Sequence, residues 1–300
     1  MGVKPPFVLA HLSDPHVPPL PLLSLRELAG KRALGALNWR RNRHAIHRRD
    51  VLDAVVADMQ AQRPDHIAVT GDLVNLALEA EFAPARAWLT SVGAPDHVTV
   101  VPGNHDAYVR ATQHHFVETF ADFIRGDAGA ATGATGFPSL RRRGPVALIG
   151  VSSAVPTAPL MATGRLGKTQ FDALDRVLAT LSTEPVFRVL LIHHPLRSTS
   201  RYKRLTDSGQ LLALLKRHGV DLILHGHDHV HSTMWFDGPR GRIAAIGVPS
   251  ASSIAHGRHP AAAYNLFSIA REGDKWRCEH RVRGIRDGLH IADLRQAKPV

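Results

Sequence analysis

Five short apolar, β-branched runs, each ending in a polar cluster, constrain this chain more than anything else in it. They are FVLAHLSDPH (7–16), HIAVTGD (66–72), HVTVVPGNHD (97–106), FRVLLIHHP (187–195) and VDLILHGHDH (220–229). Each reads as a buried strand that delivers polar residues into the loop at its carboxyl end. VALIGVSS (146–153), IAAIGVPS (243–250) and YNLFSIAR (264–271) read as further strands, and WRCEHRVRGI (276–285) as a final edge strand. Helical spacing fills the gaps at 44–62, 78–91, 168–181 and 207–218; the first of these places Ile46, Val51, Leu52, Val55, Val56 and Met59 on one side before Pro64. Alternating strands and helices predict an α/β layered fold with its site at the carboxyl ends of strands. The strand-rich stretch 243–285 suggests a second sheet packed on the first. With 300 residues, 44% of them hydrophobic, the chain has ample core for one domain over 1–300.

The strand ends, taken together, supply Asp14 and His16, then Asp72, then Asn104, His105 and Asp106, then His193 and His194, then His227, Asp228 and His229. One such residue at one strand end is ordinarily a loop residue. Five strands ending this way are not explained by packing. Imidazole suits zinc, manganese and iron, and carboxylate suits hard cations. A carboxylate shared by two ions about 3.5–4 Å apart is the arrangement of two-metal hydrolytic sites, where a bridging water becomes a nucleophile near neutral pH. No G-x-S-x-G elbow and no P-loop is present, which argues against a serine hydrolase and a P-loop nucleotidase.

The motifs D-P-H (14–16), G-D (71–72), G-N-H-D (103–106), H-H-P (193–195) and G-H-D-H (226–229), in that order, resemble the calcineurin-like metallophosphoesterases. The resemblance runs from residue 9 to 229. It implies a four-layer α-β-β-α sandwich of two mixed sheets flanked by helices. It implies one metal site from Asp14, His16, Asp72 and His229, and a second from Asp72, Asn104, His193 and His227, with Asp72 bridging. His193, two residues before the proline, takes the ligand position, and His194 a structural or substrate-facing one. His105 matches the histidine that contacts the phosphoryl group, and Asp106 would orient its ring. Asn75 stands where purple acid phosphatases carry a tyrosine, so an iron–tyrosinate site is not expected. Within the family the pattern looks most like the class III cyclic-nucleotide and glycerophosphodiester phosphodiesterases. That implies hydrolysis of a small phosphodiester or nucleotide by a hydroxide bridging two divalent or transition ions (Mn, Zn or Fe).

The remaining histidines carry weaker expectations. His44, His47, His114, His115 and His218 read as solvated or capping residues. His225 reads as strand-end structure, and His231 as a residue near the pocket. His256 and His259 lie in a loop, SIAHGRH, that could line it.

Two basic segments bear on the substrate. Residues 17–43 form an insert in which Leu22, Leu25, Leu28, Ala29 and Leu37 suggest an apolar stripe. Lys31, Arg32, Arg40, Arg41, Arg43, Arg48 and Arg49 follow with no acid between Glu27 and Asp50. The insert reads either as a helical cap with a solvated basic face, or as a lid that touches a membrane surface or an acylated substrate. A loop with Arg197, Arg201, Lys203 and Arg204 reads either as surface charge or as a grip for a second phosphate. The insert therefore keeps a second activity open, a pyrophosphohydrolase of UDP-diacylglucosamine or a similar lipid-linked nucleotide in lipid A synthesis. A non-catalytic metal-dependent scaffold is a third reading, against which His105 argues. The net charge of +11 favours anionic partners, but the basic residues lack interleaved aromatics, so nucleic acid is not expected. No apolar run is long enough for a spanning helix and the N-terminus lacks the build of a secretory signal. A lone cysteine, Cys278, fits a reducing, cytoplasmic setting, with the inner face of the membrane as the one peripheral contact considered.

Overall fold

The computed structural model describes residues 5–24, 31–109, 113–127 and 136–300. In chain order its strands are β1 Phe7–Leu12, β2 His66–Val69, β3 Val98–Val100, β4 Ser139–Arg143, β5 Val146–Gly150, β6 Phe187–Leu191, β7 Leu222–His225, β8 Ser232–Gly238, β9 Gly241–Gly247, β10 Ala263–Glu272, β11 Lys275–Asp287 and β12 His290–Pro299. The helices are α1 Lys31–Asn38, α2 His44–Ile46, α3 Arg49–Ala61, α4 Glu79–Val92, α5 Gln113–Thr119, α6 Ala121–Ile124, α7 Lys168–Ser182 and α8 Ser208–His218, with a π-helical turn, Trp39–Arg43, between α1 and α2.

The strands form two mixed six-stranded sheets, ordered β12-β11-β10-β1-β2-β3 and β4-β5-β6-β7-β9-β8. One cluster of buried apolar side chains runs between them, with Leu9 and Val100 from the first and Leu148, Leu191 and Leu224 from the second. The same cluster takes in Val51, Leu52, Val55, Val56 and Met59 of α3 and Phe82, Trp88 and Leu89 of α4. The spacing of the α3 set puts it on one helical face, as the sequence predicts. A second cluster closes the other side of the second sheet, where Leu174, Leu178 and Leu181 of α7 and Leu211 and Leu215 of α8 meet Ile149, Leu190 and Ile223. Strands covered on both faces need continuous rather than alternating apolar sequence, and β5 is buried at all five positions. The layers are thus α-β-β-α, as expected.

Two sequence expectations are corrected. Residues 243–285 do not make a sheet of their own. β9 runs parallel to β7, while β10 pairs antiparallel with β1 through Phe7↔Ile269 to His11↔Asn265. Pairing partners are set by long-range register, which a local apolar pattern does not encode. β11 is also not an edge, since β12 pairs with it. The β12 sequence HIADLRQAKP is too polar to announce a strand. Charge and a terminal proline suit it to the exposed border of a sheet.

Part of the insert is described. Lys31 donates to Thr157 Oγ1 at 2.8 Å and Arg32 to the Leu76 carbonyl at 3.1 Å. Arg48 and Arg49 pair with Asp50 and Asp53, and Arg40 and Arg41 are exposed. The basic stretch is therefore divided among separate tasks. Leu25, Leu28, Ala29 and Glu27 lie outside the described residues. Among those that are described, no helix is long and apolar enough to cross a membrane.

Candidate metal centre

The parallel strands of both sheets point their carboxyl ends to the same edge. Asp14 and His16 follow β1, Asp72 follows β2 and Asn104–Asp106 follow β3. From the other sheet, His193 follows β6, and His227 and His229 follow β7. Among the described residues, eight other than glycine have positive φ, and five of them are Asp14, His16, Asp72, His227 and His229. Left-handed backbone costs energy at a residue with a Cβ and persists where the surroundings enforce it, which is why it gathers at functional sites. Close backbone packing enforces it here: a Cβ on Gly103 would lie 2.4 Å from the Asp72 nitrogen.

Two donor groups share Asp72. One ligand atom from each of Asp14, His16, Asp72 and His229 falls within 4.8 Å of the others. His229 Nε2 lies 3.1 Å from Asp14 Oδ1, and His16 Nε2 lies 3.7 Å from Asp72 Oδ2. In the second group His193 Nε2 is 3.4 Å from Asp72 Oδ2 and 3.1 Å from Asn104 Oδ1, and His227 Nδ1 is 2.8 Å from Asn104 Oδ1.

The outer nitrogens of these rings show that the set fits a cation. His193 Nδ1 donates to the Thr70 carbonyl at 2.6 Å and His16 Nδ1 to the Val74 carbonyl at 3.3 Å. A carbonyl only accepts, so each ring carries its proton there, and in the neutral ring Nε2 offers a lone pair to the cleft. At His193 that lone pair faces the oxygens of Asp72 and Asn104 and, at 3.3 Å, His227 Nδ1. Acceptors turned on one another call for positive charge between them. Burial alone would depress the His193 pKa, but Asp72 and Asp14 outweigh it and draw it up to about 10, so with no ion present a proton on Nε2 supplies that positive charge, in the place an ion would take. Burial likewise would raise Asp14, and His229, with His193 and Ser13, more than reverses this. His227 Nε2 is buried and meets no hydrogen-bond partner. Oxygen and imidazole donors of this kind suit manganese, zinc or iron.

The neighbouring histidines separate cleanly. His194 turns away, with Nδ1 2.8 Å from Ser153 Oγ and Nε2 3.1 Å from the Ala162 carbonyl. His225 is buried against Gly226 and Ser232. His231 does not line the cleft; its charged neighbour is Arg295, and burial lowers it to about 4.

The role expected of Asp106 is corrected. The His105 ring is held by the Asn75 carbonyl at Nδ1, not by Asp106. Asp106 instead accepts the backbone N–H groups of Asp72, Leu73, Val74 and Gly103 at 2.8–3.1 Å. Burial and the charge of Asp72 push its pKa up to about 7, while the N–H groups of Gly103 and Val74 pull against them. Glu81 holds the next turn, accepting from Asn75, Leu76 and Leu78. Two buried carboxylates thus brace the loop that carries Asp72, through main-chain donors that sequence motifs do not display.

Sequence reasoning missed two residues at the site, one at the end of the insert and one just after it. Arg43 donates to His16 Nε2 at 2.7 Å and to His105 Nε2 at 3.2 Å. His47, expected to be solvated, is only 4% exposed and brings a ring nitrogen within 4.8 Å of those of His16 and His229. The available signal was H-A-I-H ahead of α3. It reads as continuous helix, but His47 breaks it at φ −87°, ψ 109°. The cleft, about 320 Å³, is lined by Arg43, His47, Lys203, His256 and His259 beside the donor residues. That volume suits a small molecule.

Comparison with known proteins bears on the family and the fold. The sequence profile of the calcineurin-like phosphoesterases matches residues 7–231. A protein of Rhodococcus erythropolis named probable cyclic nucleotide phosphodiesterase is 28% identical over 243 residues, covering 78% of this chain and 69% of that one. A protein of the same name from Synechococcus is 26% identical over 245 residues, covering 80% and 84%. Among solved structures, Thermus thermophilus sulfate thiohydrolase SoxB superposes with a TM-score of 0.51 at 15% identity over 93% of this chain. The purple acid phosphatase of yellow lupin seeds does so with 0.52 at 12% identity over 92%. The chain spans 57% and 51% of those two proteins, and at such identities the likeness is one of fold.

Proposed function

The chain belongs to the calcineurin-like phosphoesterase family, and from that premise we propose that it is a two-metal phosphodiesterase acting on a cyclic nucleotide or another small phosphodiester. The observation that carries the reading is the shared carboxylate: Asp72 Oδ2 lies 3.7 Å from His16 Nε2 of one donor group and 3.4 Å from His193 Nε2 of the other. Asp14, His16, Asp72 and His229 would hold one ion, and Asp72, Asn104, His193 and His227 the other. When bound, such a pair acidifies a water and offsets the charge of the phosphoryl oxygens. The protein's own part is positioning. The carbonyls of Thr70 and Val74 fix the tautomers of His193 and His16, and Asp106 fixes the backbone under Asp72. His105 keeps a proton on Nδ1 for the Asn75 carbonyl and presents Nε2 to the cleft, where it can take up or hand on a proton beside the leaving oxygen. The names of the two curated relatives support a cyclic nucleotide as substrate. The test is hydrolysis of bis(p-nitrophenyl) phosphate and of cyclic AMP by protein loaded with manganese or zinc in separate runs.

A second reading has its own support. Leu22, Leu34 and Leu37 of the insert are exposed, the first at 98%, and Lys203 lines the cleft. Exposed leucines on the insert together with a cation in the cleft suit an acylated nucleotide diphosphate, hydrolysed at its pyrophosphate bond at the inner face of a membrane. Including UDP-diacylglucosamine and glycerophosphodiesters in the same substrate panel separates the two readings.

A further inference from the structure

Of the seven basic residues in and just after the insert, Arg43 enters the cleft. We propose that Arg43 is a substrate-binding residue that grips the phosphoryl oxygens beside His105. The inference rests on the phosphoesterase reading and names a residue that the five motifs do not include.

The guanidinium has unusual company. Its side-chain partners among the described residues are two imidazole nitrogens, His16 Nε2 and His105 Nε2. Neither carries negative charge, because both rings place a proton on Nδ1 for a carbonyl. No carboxylate among the described residues lies within 4.0 Å of the guanidinium, and the favourable charges it feels come from Asp72 and Asp14 farther off. Arginine stays protonated at any physiological pH. A guanidinium held in a cleft without an adjacent acid is suited to an anion from outside.

Metal chemistry strengthens the argument. A lone pair given to a cation is not available to an N–H donor. Once His16 Nε2 serves as a ligand, Arg43 loses that acceptor, and the released N–H groups need an oxyanion. A phosphoryl group presents two oxygens in the spacing a planar guanidinium matches, which a lysine ammonium does not reproduce.

Arg43 is also fixed in place. It ends the π-helical turn Trp39–Arg43, a local irregularity that recurs at functional sites. The His47 N–H donates to the Arg43 carbonyl at 2.9 Å. The following segment is tied to the 250–254 loop by Arg48 N–H to the Ser252 carbonyl, Ile254 N–H to the Ile46 carbonyl, and His47 Nδ1 to Ser252 Oγ. Trp39 stacks on the His47 ring with planes 7° apart. The side chain is therefore delivered by anchored backbone, which favours binding in one geometry.

The experiment compares wild type, Arg43→Lys and Arg43→Ala, all full length and metal-loaded. It measures metal per chain by mass spectrometry, inorganic phosphate affinity by calorimetry, and kcat and KM on bis(p-nitrophenyl) phosphate. The proposal expects metal content to be unchanged in both variants. Phosphate affinity should fall about ten- to a hundredfold in Arg43→Ala, the scale of one charge-assisted contact, and by less in Arg43→Lys. Full metal content with unchanged phosphate affinity overturns it. Loss of metal from Arg43→Lys also overturns it, since Arg43 would then support His16. A wild-type protein that holds its metals but neither binds phosphate nor hydrolyses the diester overturns the phosphoesterase reading itself.

Discussion

The Asp106 carboxylate accepts the backbone N–H of Asp72 at 2.8 Å, and takes those of Leu73, Val74 and Gly103 as well. Three successive N–H groups converging on one anion form a nest, and the nest sets the left-handed turn at Asp72, φ 57°. The central carboxylate of the site is thus aimed by a second carboxylate acting through main chain.

Asp106→Asn keeps the size of the side chain but turns an NH2 toward N–H donors, so about half of these bonds are lost. At about 1–3 kcal/mol for each buried donor left unmatched, the expected loss of stability is roughly 2–6 kcal/mol. Metal retention should fall with it. Urea unfolding and metal analysis after dialysis check both; an unchanged midpoint would mean that the nest does not hold the loop.

Gly226 sits where β7 turns into the site. A Cβ there would lie 1.9 Å from Ser13 Oγ and 2.3 Å from Asp14 Oδ2. Gly226→Ala is expected to displace Asp14 and to lower metal affinity more than it lowers thermal stability. Equal affinity in mutant and wild type would show that the loop has room to yield.

His47→Ala removes an imidazole whose nitrogen lies within 4.8 Å of those of His16 and His229. We expect weaker metal retention and, because the Ser252 anchor is lost, a drop in phosphate affinity parallel to that of Arg43→Ala. Titration with manganese followed by electron paramagnetic resonance reports the first effect directly.

The apo protein should lose stability in acid, with His66 as one cause. Burial, reinforced by Arg143 and Arg141, lowers its pKa to about 3 from an ordinary 6.5. As pH falls, the unfolded chain therefore takes up this proton first. The contribution is complete above about pH 6.5 and is lost toward pH 3, at about 1.4 kcal/mol per pH unit for one such group. The ring accepts or donates one bond, to Thr99 Oγ1 at 2.8 Å. Urea unfolding between pH 7.5 and 4 should show a steeper loss for wild type than for His66→Gln. Identical slopes would rule His66 out as a source.

The legible part of this protein in its sequence was the part whose signals are local. Strand ends announced themselves because apolar β-branched runs stop abruptly at Asp, Asn and His, and the five motifs placed Asp14 through His229 at one edge of the fold. Chemistry that depends on main chain stayed hidden: Asp106 and Glu81 serve backbone N–H groups, which every residue carries and no motif displays. Arg43 and His47 were hidden for another reason. Both lie in a uniformly basic stretch, and their approach to the cleft depends on how residues 46–48 dock on the 250–254 loop, a contact across some two hundred positions. The sheet order was obscured in the same way, since β10 joins β1 by long-range register, and β12 has the polar sequence of an exposed edge.

The central claim is that Asp72 is shared by two ions in a hydrolytic site. Its most direct test is metal per chain and turnover of bis(p-nitrophenyl) phosphate, measured side by side for wild type and Asp72→Ala. Wild type is expected to hold roughly two ions per chain and to hydrolyse the diester only when they are present. Asp72→Ala is expected to lose metal from both sites and, with it, turnover. An Asp72→Ala protein with the full metal complement and undiminished turnover would contradict the account.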